Sequence, residues 1–326
     1  MRWRAKRIPI TMSSLSLSQL QTDLSDPNIT VRCRAIYALG EVGTEQAIQI
    51  MLIAIVDPHW KVRMLVAQTS GSLATPKALP SLIACLQHDV SARVRKECVT
   101  ALWRIQGELA VKGLCLALTD ASRNVRRSAV QALGTLQDRQ ATPALIGVLL
   151  TDADSYVRWD AAQALQKLQA QDAISALIES LGSDDNSYVR YAVASTLGTL
   201  GSPRAIPALK QAIQVDENHH VRYAAVGALS LMLGQHTNLD LLFEGLLFAL
   251  DDDNTRVWHA AAEALWAVGE EAMRFVLSRL THPQHDVRSV ALKGVLWLSA
   301  EWDDETLLRW VDADEAWLFN NTPSYN

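Results

Sequence analysis

The stretch DDNSYVRYAVASTLG, residues 184–198, carries the pattern that decides the fold: an Asp, a Val-Arg step five residues on, then small and apolar residues at helical spacing. The same step stands at Val31-Arg32, Val62-Arg63, Val94-Arg95, Val125-Arg126, Val157-Arg158 and Val221-Arg222, and two further copies read Val257-Trp258 and Val287-Arg288. Successive valines lie 31, 32, 31, 32, 32, 32, 36 and 30 residues apart. Self-similarity at this period marks stacked helix pairs, each burying its apolar face on its neighbours. The expected fold is all-α, an α-solenoid (superhelix) of about nine helix-turn-helix repeats.

Within a repeat, a small residue follows the Val by four (Ala35, Ala129, Ala161), usually a Leu by eight (Leu39, Leu165, Leu197), and an apolar residue by eleven (Val42, Leu136, Leu200). Steps of 4, 4 and 3 draw one stripe down an α-helix. Three residues before the Val stand Asn28, Ser91, Ser122, Asp154, Asn186, Asn218 and Asn254, side chains suited to accept from the free N–H groups of a first turn. Gly43, Gly201, Gly234 and Gly269 are expected to end these helices. A preceding helix with apolar residues at i, i+4 and i+8 (Ala173, Leu177, Leu181) completes the unit, with Pro80, Pro143 and Pro207 in first turns where no N–H is missed.

An Arg in a helix's first turn opposes the positive end of the helix dipole. Its repetition requires a partner, and an Asp stands five residues before the Val in every copy but the ninth, which has His282. The expectation is a structural Asp–Arg ladder, each Arg paired in its own or the adjacent turn.

With these residues in view, D-x4-V-R-x2-A-x2-A-L-G resembles the short HEAT-like repeat first named from phycobilisome (PBS) lyases, over about residues 15–300. The resemblance implies the fold strongly and the function weakly, because such repeats serve many roles.

The expected organisation is a basic, disordered segment 1–14 (Arg2, Arg4, Lys6, Arg7), the repeats at 15–300, an acidic Trp-containing capping helix at 301–319 and a flexible tail at 320–326. A net charge of −5 argues against a general nucleic-acid footprint, and no apolar run is long enough to span a membrane. Cys33, Cys85, Cys98 and Cys115 lack metal-ligand spacing and read as reduced thiols of a cytoplasmic protein.

Positions that vary between repeats carry what is particular to this chain. Residues one before and two after the Val are i and i+3 on the second helix and share a face, the concave one in this repeat class. In repeats two to four they include Lys61, Arg93, Lys96 and Arg127. In repeats five to eight they read Tyr156 and Trp159, Tyr188 and Tyr191, His220 and Tyr223, Arg256 and His259. Four of the chain's six tyrosines fall in this array, where rings offer contact area and a polar tip, and the neighbouring bases can receive carboxylates.

Enzymatic readings are tested on the same face. Deoxyhypusine hydroxylases resemble this repeat class, and that likeness implies His-Glu pairs two and three residues after the Val, holding two irons. Here those positions run from Cys33-Arg34 through Trp159-Asp160 and His259-Ala260 to Ser289-Val290, and none is His-Glu. His219 and His220 are expected to diverge on their helix, and no metal site is predicted. Asp160 and Glu97 are the only acid–base candidates, with solvated charge the default for each. The favoured function is a non-enzymatic protein-binding scaffold using this basic–aromatic groove in phycobilisome or photosynthetic protein assembly, without a cofactor. The alternative that the resemblance implies is an E/F-type phycobilin lyase or bilin chaperone. That protein would hold an open-chain tetrapyrrole for a phycobiliprotein cysteine, with a second HEAT-repeat chain as a further partner.

Overall fold

A computed structural model describes residues 16–234 and 239–300; the basic segment 1–14, the acidic segment 301–319 and the tail 320–326 lie outside the described residues. The described residues form eighteen α-helices and no strand, so the chain is an all-α solenoid of helix pairs. It divides into two compact units, residues 1–148 and 149–326.

In the first unit the pairs are α1 (Leu17–Asp23) with α2 (Ile29–Val42), α3 (Glu45–Ile53) with α4 (Trp60–Ser72), α5 (Leu79–His88) with α6 (Ala92–Ile105), and α7 (Glu108–Leu116) with α8 (Arg123–Leu136). The chain then passes through α9 (Thr142–Thr151). The second unit holds α10 (Ser155–Lys167), α11 (Ile174–Ser183), α12 (Ser187–Leu200), α13 (Ile206–Val215), α14 (His219–Leu233), α15 (Asp240–Ala249), α16 (Thr255–Val268), α17 (Glu270–Ser278) and α18 (His285–Ala300). Each Val-Arg step opens an even-numbered helix, and within each unit successive even-numbered helices pack side by side.

The stripe read from the sequence is the core. Val62, Val94, Val125, Val157, Val189, Val221 and Val257 are fully buried, as are Leu39, Leu102, Leu133, Leu165, Leu197, Leu229 and Leu265. Each such side chain contributes about 1.5–3 kcal/mol by leaving water. The even-numbered helices approach closely where the sequence places Gly nine residues after the Val. A methyl on Gly198 would lie 2.5 Å from the Cα of Ala228, and one on Gly71 would lie 2.8 Å from that of Ala101.

The caps divide. Asn28, Asp154, Asn186, Asn218 and Asn254 accept from first-turn N–H groups as expected, and His59 does so through Nδ1. Ser91 and Ser122 make no side-chain cap. In capped and uncapped repeats alike, the Asp five residues before the Val accepts the N–H two residues on through Oδ1, as Asp89 and Asp120 do from Ser91 and Ser122 at 2.8 and 2.7 Å. Gly43 and Gly201 end their helices in the left-handed conformation (φ 59° and 64°), but Gly234 stays right-handed at φ −75°. Short 3₁₀ turns precede several odd-numbered helices, so Pro80 and Pro207 enter α5 and α13 one position earlier in the helix than the sequence reading places them.

The ladder runs between repeats. Arg32 reaches Asp57 with Nε and Nη2 at 2.7 and 3.1 Å, Arg63 reaches Asp89 at 2.6 and 2.8 Å, and Arg95 reaches Asp120 at 2.7 and 2.8 Å. In the second unit Arg158–Asp184, Arg190–Asp216 and Arg222–Asp252 repeat the same fork. Nη1 meanwhile donates to the backbone carbonyl of the Asp in the Arg's own repeat, as from Arg190 to Asp184 at 2.8 Å. One guanidinium therefore ties two consecutive turns, which offsets its unfavourable place at a helix N-terminus. Burial pushes the carboxyls of Asp89, Asp120, Asp184 and Asp252 upward, but the Arg fork and a backbone N–H outweigh it and hold them below the ordinary value.

One rung is missing at both ends. The eighth repeat has Trp258 where Arg is due, and the ninth has His282 where its Asp partner is due. His282 keeps the local half of the motif: its Nδ1 accepts from the Gln284 N–H at 3.2 Å and its carbonyl accepts from Arg288 at 2.7 Å. Trp258 stacks on His259, with centroids 3.8 Å apart.

Candidate functional site

The caps also set the site. In each capped even-numbered helix the side chain at the N-cap accepts from the N–H of the residue just before the Val. Those residues are Thr30, Lys61, Tyr156, Tyr188, His220 and Arg256, at 2.9–3.2 Å. The cap thus fixes the backbone of the very positions that differ between repeats, and the buried Val turns them outward.

In the first unit Lys61, Arg93 and Lys96 are exposed and Arg127 is half-buried. Trp60 lies among them, its ring 5.8 Å from the Lys61 ammonium and 5.4 Å from the Arg93 guanidinium, within cation–π range. Burial pushes the Cys33 thiol upward, against weaker opposing pulls from Arg32 and Lys61, so it is no activated thiolate. Glu97 is raised chiefly by burial, with Arg104 and Lys96 opposing.

In the second unit Tyr156, Tyr188, Tyr191 and Tyr223 are 60, 72, 40 and 44% exposed. Tyr191, His220, Tyr223, Arg256 and His259 line one depression of about 500 Å³, completed by Glu263. A second depression of about 470 Å³ shares Tyr191, Tyr223 and Glu263 and runs on to Leu231 and Ala267. Tyr156, Trp159 and Tyr188 lie outside both. Ser195, Glu263 and Leu231 escaped the sequence reading because it stopped two residues after the Val. The same helical period carries positions six (Ser195, Glu263) and ten (Leu231) onto the face.

Two expectations are corrected. Asp160 is buried at 4% exposure, not a solvated charge, because the turn of α10 that follows the Val faces the packed side. The rings of His219 and His220 do not diverge. They lie 4.1 Å apart at the open first turn of α14, where the preceding helical turn is absent and cannot separate them. Among the described residues no group of three or more His, Cys, Asp or Glu is placed to hold a metal, and no helix is long and apolar enough to cross a membrane.

Comparison with known proteins follows the repeats. The chain is 27% identical over 129 residues to the bilin biosynthesis protein PecE of Nostoc sp., covering 37% of this chain and 51% of that one. It is 30% identical over 118 residues to deoxyhypusine hydroxylase of Candida albicans, covering 36% and 37%. The matched region thus spans about half the length of the first relative and less of the second. Among solved structures, Kap121p superposes with a TM-score of 0.62 at 15% identity, over 93% of this chain and 39% of Kap121p, a likeness of fold alone. The HEAT-repeat profile matches residues 17–103, 111–198 and 183–249, most of the chain, and the chain therefore belongs to the HEAT-repeat family.

Proposed function

We propose that this chain is a protein-binding scaffold that engages its partner through the outward face of the even-numbered helices, in the assembly of photosynthetic antenna proteins. The observation that carries the reading is the exposed tyrosine array. A solvent-facing ring at 40–72% exposure contributes little to the fold, yet such tyrosines recur through three consecutive repeats at two registers that share one helix face, one before and two after the Val. Rigid rings with polar tips make large contact area at small entropic cost, which suits a protein interface. The array is an open surface, as a protein groove can be, whereas a chromophore site requires enclosure.

The test is affinity capture from cells with the intact chain and with a Y188A/Y191A/Y223A variant. A partner held by the first and lost by the second supports the proposal. Equal capture by both places the interface elsewhere.

The likeness to a bilin biosynthesis protein favours a second reading, that the face handles an open-chain tetrapyrrole. The aromatic rings would flank the conjugated system and the bases would take its propionates. An absorbance titration with phycocyanobilin decides it. A saturable red shift abolished in W159A/Y191A supports bilin handling, and an unchanged spectrum removes it.

A further inference from the structure

The first unit carries a different surface from the second, and its chemistry names a partner class. The ion pairs of this unit include Arg32, Arg63 and Arg95 in the ladder and the exposed Lys77 and Lys112. Arg34, Lys61, Arg93 and Lys96, on α2, α4 and α6, form none among the described residues. They are exposed and stand on adjacent helices in a chain whose net charge is −5. Exposed cations without an ion pair repel one another, and gathering them gives this face a positive field that an anionic partner would relieve.

We infer that this face of the first unit docks a carboxylate-rich segment of a partner protein, a reading that rests on the scaffold function proposed above. The arrangement around Trp60 supports it. The Arg93 guanidinium lies 5.4 Å from the centre of the indole ring, within cation–π range, and makes no ion pair among the described residues, so its N–H groups are available to an incoming carboxylate. A guanidinium forks onto a carboxylate through two N–H groups, and the neighbouring ring attracts the cation without neutralising it. Lys61 on the same ring and Lys96, one turn on from Arg93, add point charges beside the fork.

The extent of the patch selects a short acidic segment over a nucleic acid. Three neighbouring helices at axial separations of about 8–10 Å offer a cationic strip on the order of 20 Å wide. Four cations on such a strip match a few consecutive Asp or Glu side chains. A long phosphate backbone would continue past it onto a chain of net negative charge, where it is repelled.

The test measures anisotropy of a fluorescein-labelled oligoglutamate peptide with the full chain at about 20 mM salt, where surface attraction is least screened. A labelled oligothymidylate of equal charge runs alongside. The expected result is saturable oligoglutamate binding that weakens as salt rises and falls about tenfold or more in K61E/R93E/K96E. Binding in Y188A/Y223A, whose changes lie in the second unit, stays unchanged. Where circular dichroism shows the charge-reversed variant unfolded, K61Q/R93Q/K96Q replaces it with the same expectation in smaller degree. Absence of saturable binding, equal binding by the charge variants, or tenfold preference for oligothymidylate overturns the inference. If it is overturned while the Y188A/Y191A/Y223A variant still loses its captured partner, the scaffold reading stands and only the acidic segment is lost.

Discussion

Restoring the missing rung by W258R together with H282D should fasten the last helix pair, α17–α18, to the repeat before it. The forks of Arg32, Arg63, Arg95, Arg158, Arg190 and Arg222 define what the new pair must reproduce: a guanidinium 10–13% exposed against a carboxylate 3–7% exposed, at 2.6–2.7 Å. The remaining contacts are in place, since the Asp252 carbonyl is due to accept Nη1 of an Arg at 258 and Gln284 already donates to residue 282. W258R alone loses the ring stacked on His259 and sets a half-buried guanidinium before an imidazole, a loss of about 1–3 kcal/mol. H282D alone keeps the cap and is close to neutral. The double variant should recover a coupling energy of about 1–2 kcal/mol, because charge-assisted forks at this burial exceed exposed pairs. Hydrogen exchange read on α17–α18 is the assay, since a repeat array opens locally and each repeat depends on its neighbours. The double variant should slow exchange there by about 5–30-fold relative to the product of the single effects, leaving α12 and α14 unchanged. A coupling energy within about 0.3 kcal/mol of zero would refute the claim that the ladder ties repeat to repeat.

Three further outcomes follow from the same geometry. G198A should lower the denaturation midpoint by an amount equivalent to about 1–3 kcal/mol, because its methyl meets the Ala228 backbone. G182A, with open space at its Cβ, should be neutral or stabilising by up to about 1 kcal/mol, and reversal of that order would sink the close-approach account. The carboxyls of Asp89, Asp120, Asp184 and Asp252 sit below their unfolded value near 3.9, so their stabilisation is complete above about pH 4 and drains away as pH falls through the folded values. Denaturant midpoints that stay level to about pH 2, or that begin to fall near pH 6, would contradict this. L165A, which empties a fully buried position, should cost about 2–5 kcal/mol and unfold part of the solenoid before the rest; one cooperative transition shared by probes in both units would count against it.

Much of the fold was legible because the repeat is written in local rules. Val, small residue and Leu at steps of four put the core on one stripe, and the Asn or Asp three residues before the Val caps its helix at Asn28, Asp154, Asn186, Asn218 and Asn254. Ser91 and Ser122 make no such cap although Asp89 and Asp120 hold their turns through the same Oδ1 bond as in the capped repeats, so the two serines differ from their counterparts in the side chain alone. The candidate face was legible for the same reason, since the residues one before and two after a buried Val share one side of the helix. Its extension to Glu263 and Leu231 needed the helical period carried two turns further.

By itself the sequence determined the number and kind of repeats, the residues of the core and the existence of an Asp–Arg partnership, because these depend on contacts within a turn or on a regular period. Only the tertiary structure decided that arginines such as Arg190 and Arg222 reach into the next repeat and that Trp258 and His282 are two ends of one absent rung. The structure likewise buried Asp160 and gathered Tyr191, Tyr223 and His259 around one depression. Those facts depend on how neighbouring helices are placed in space, about thirty residues apart along the chain, and the pattern within one repeat carries no record of that placement.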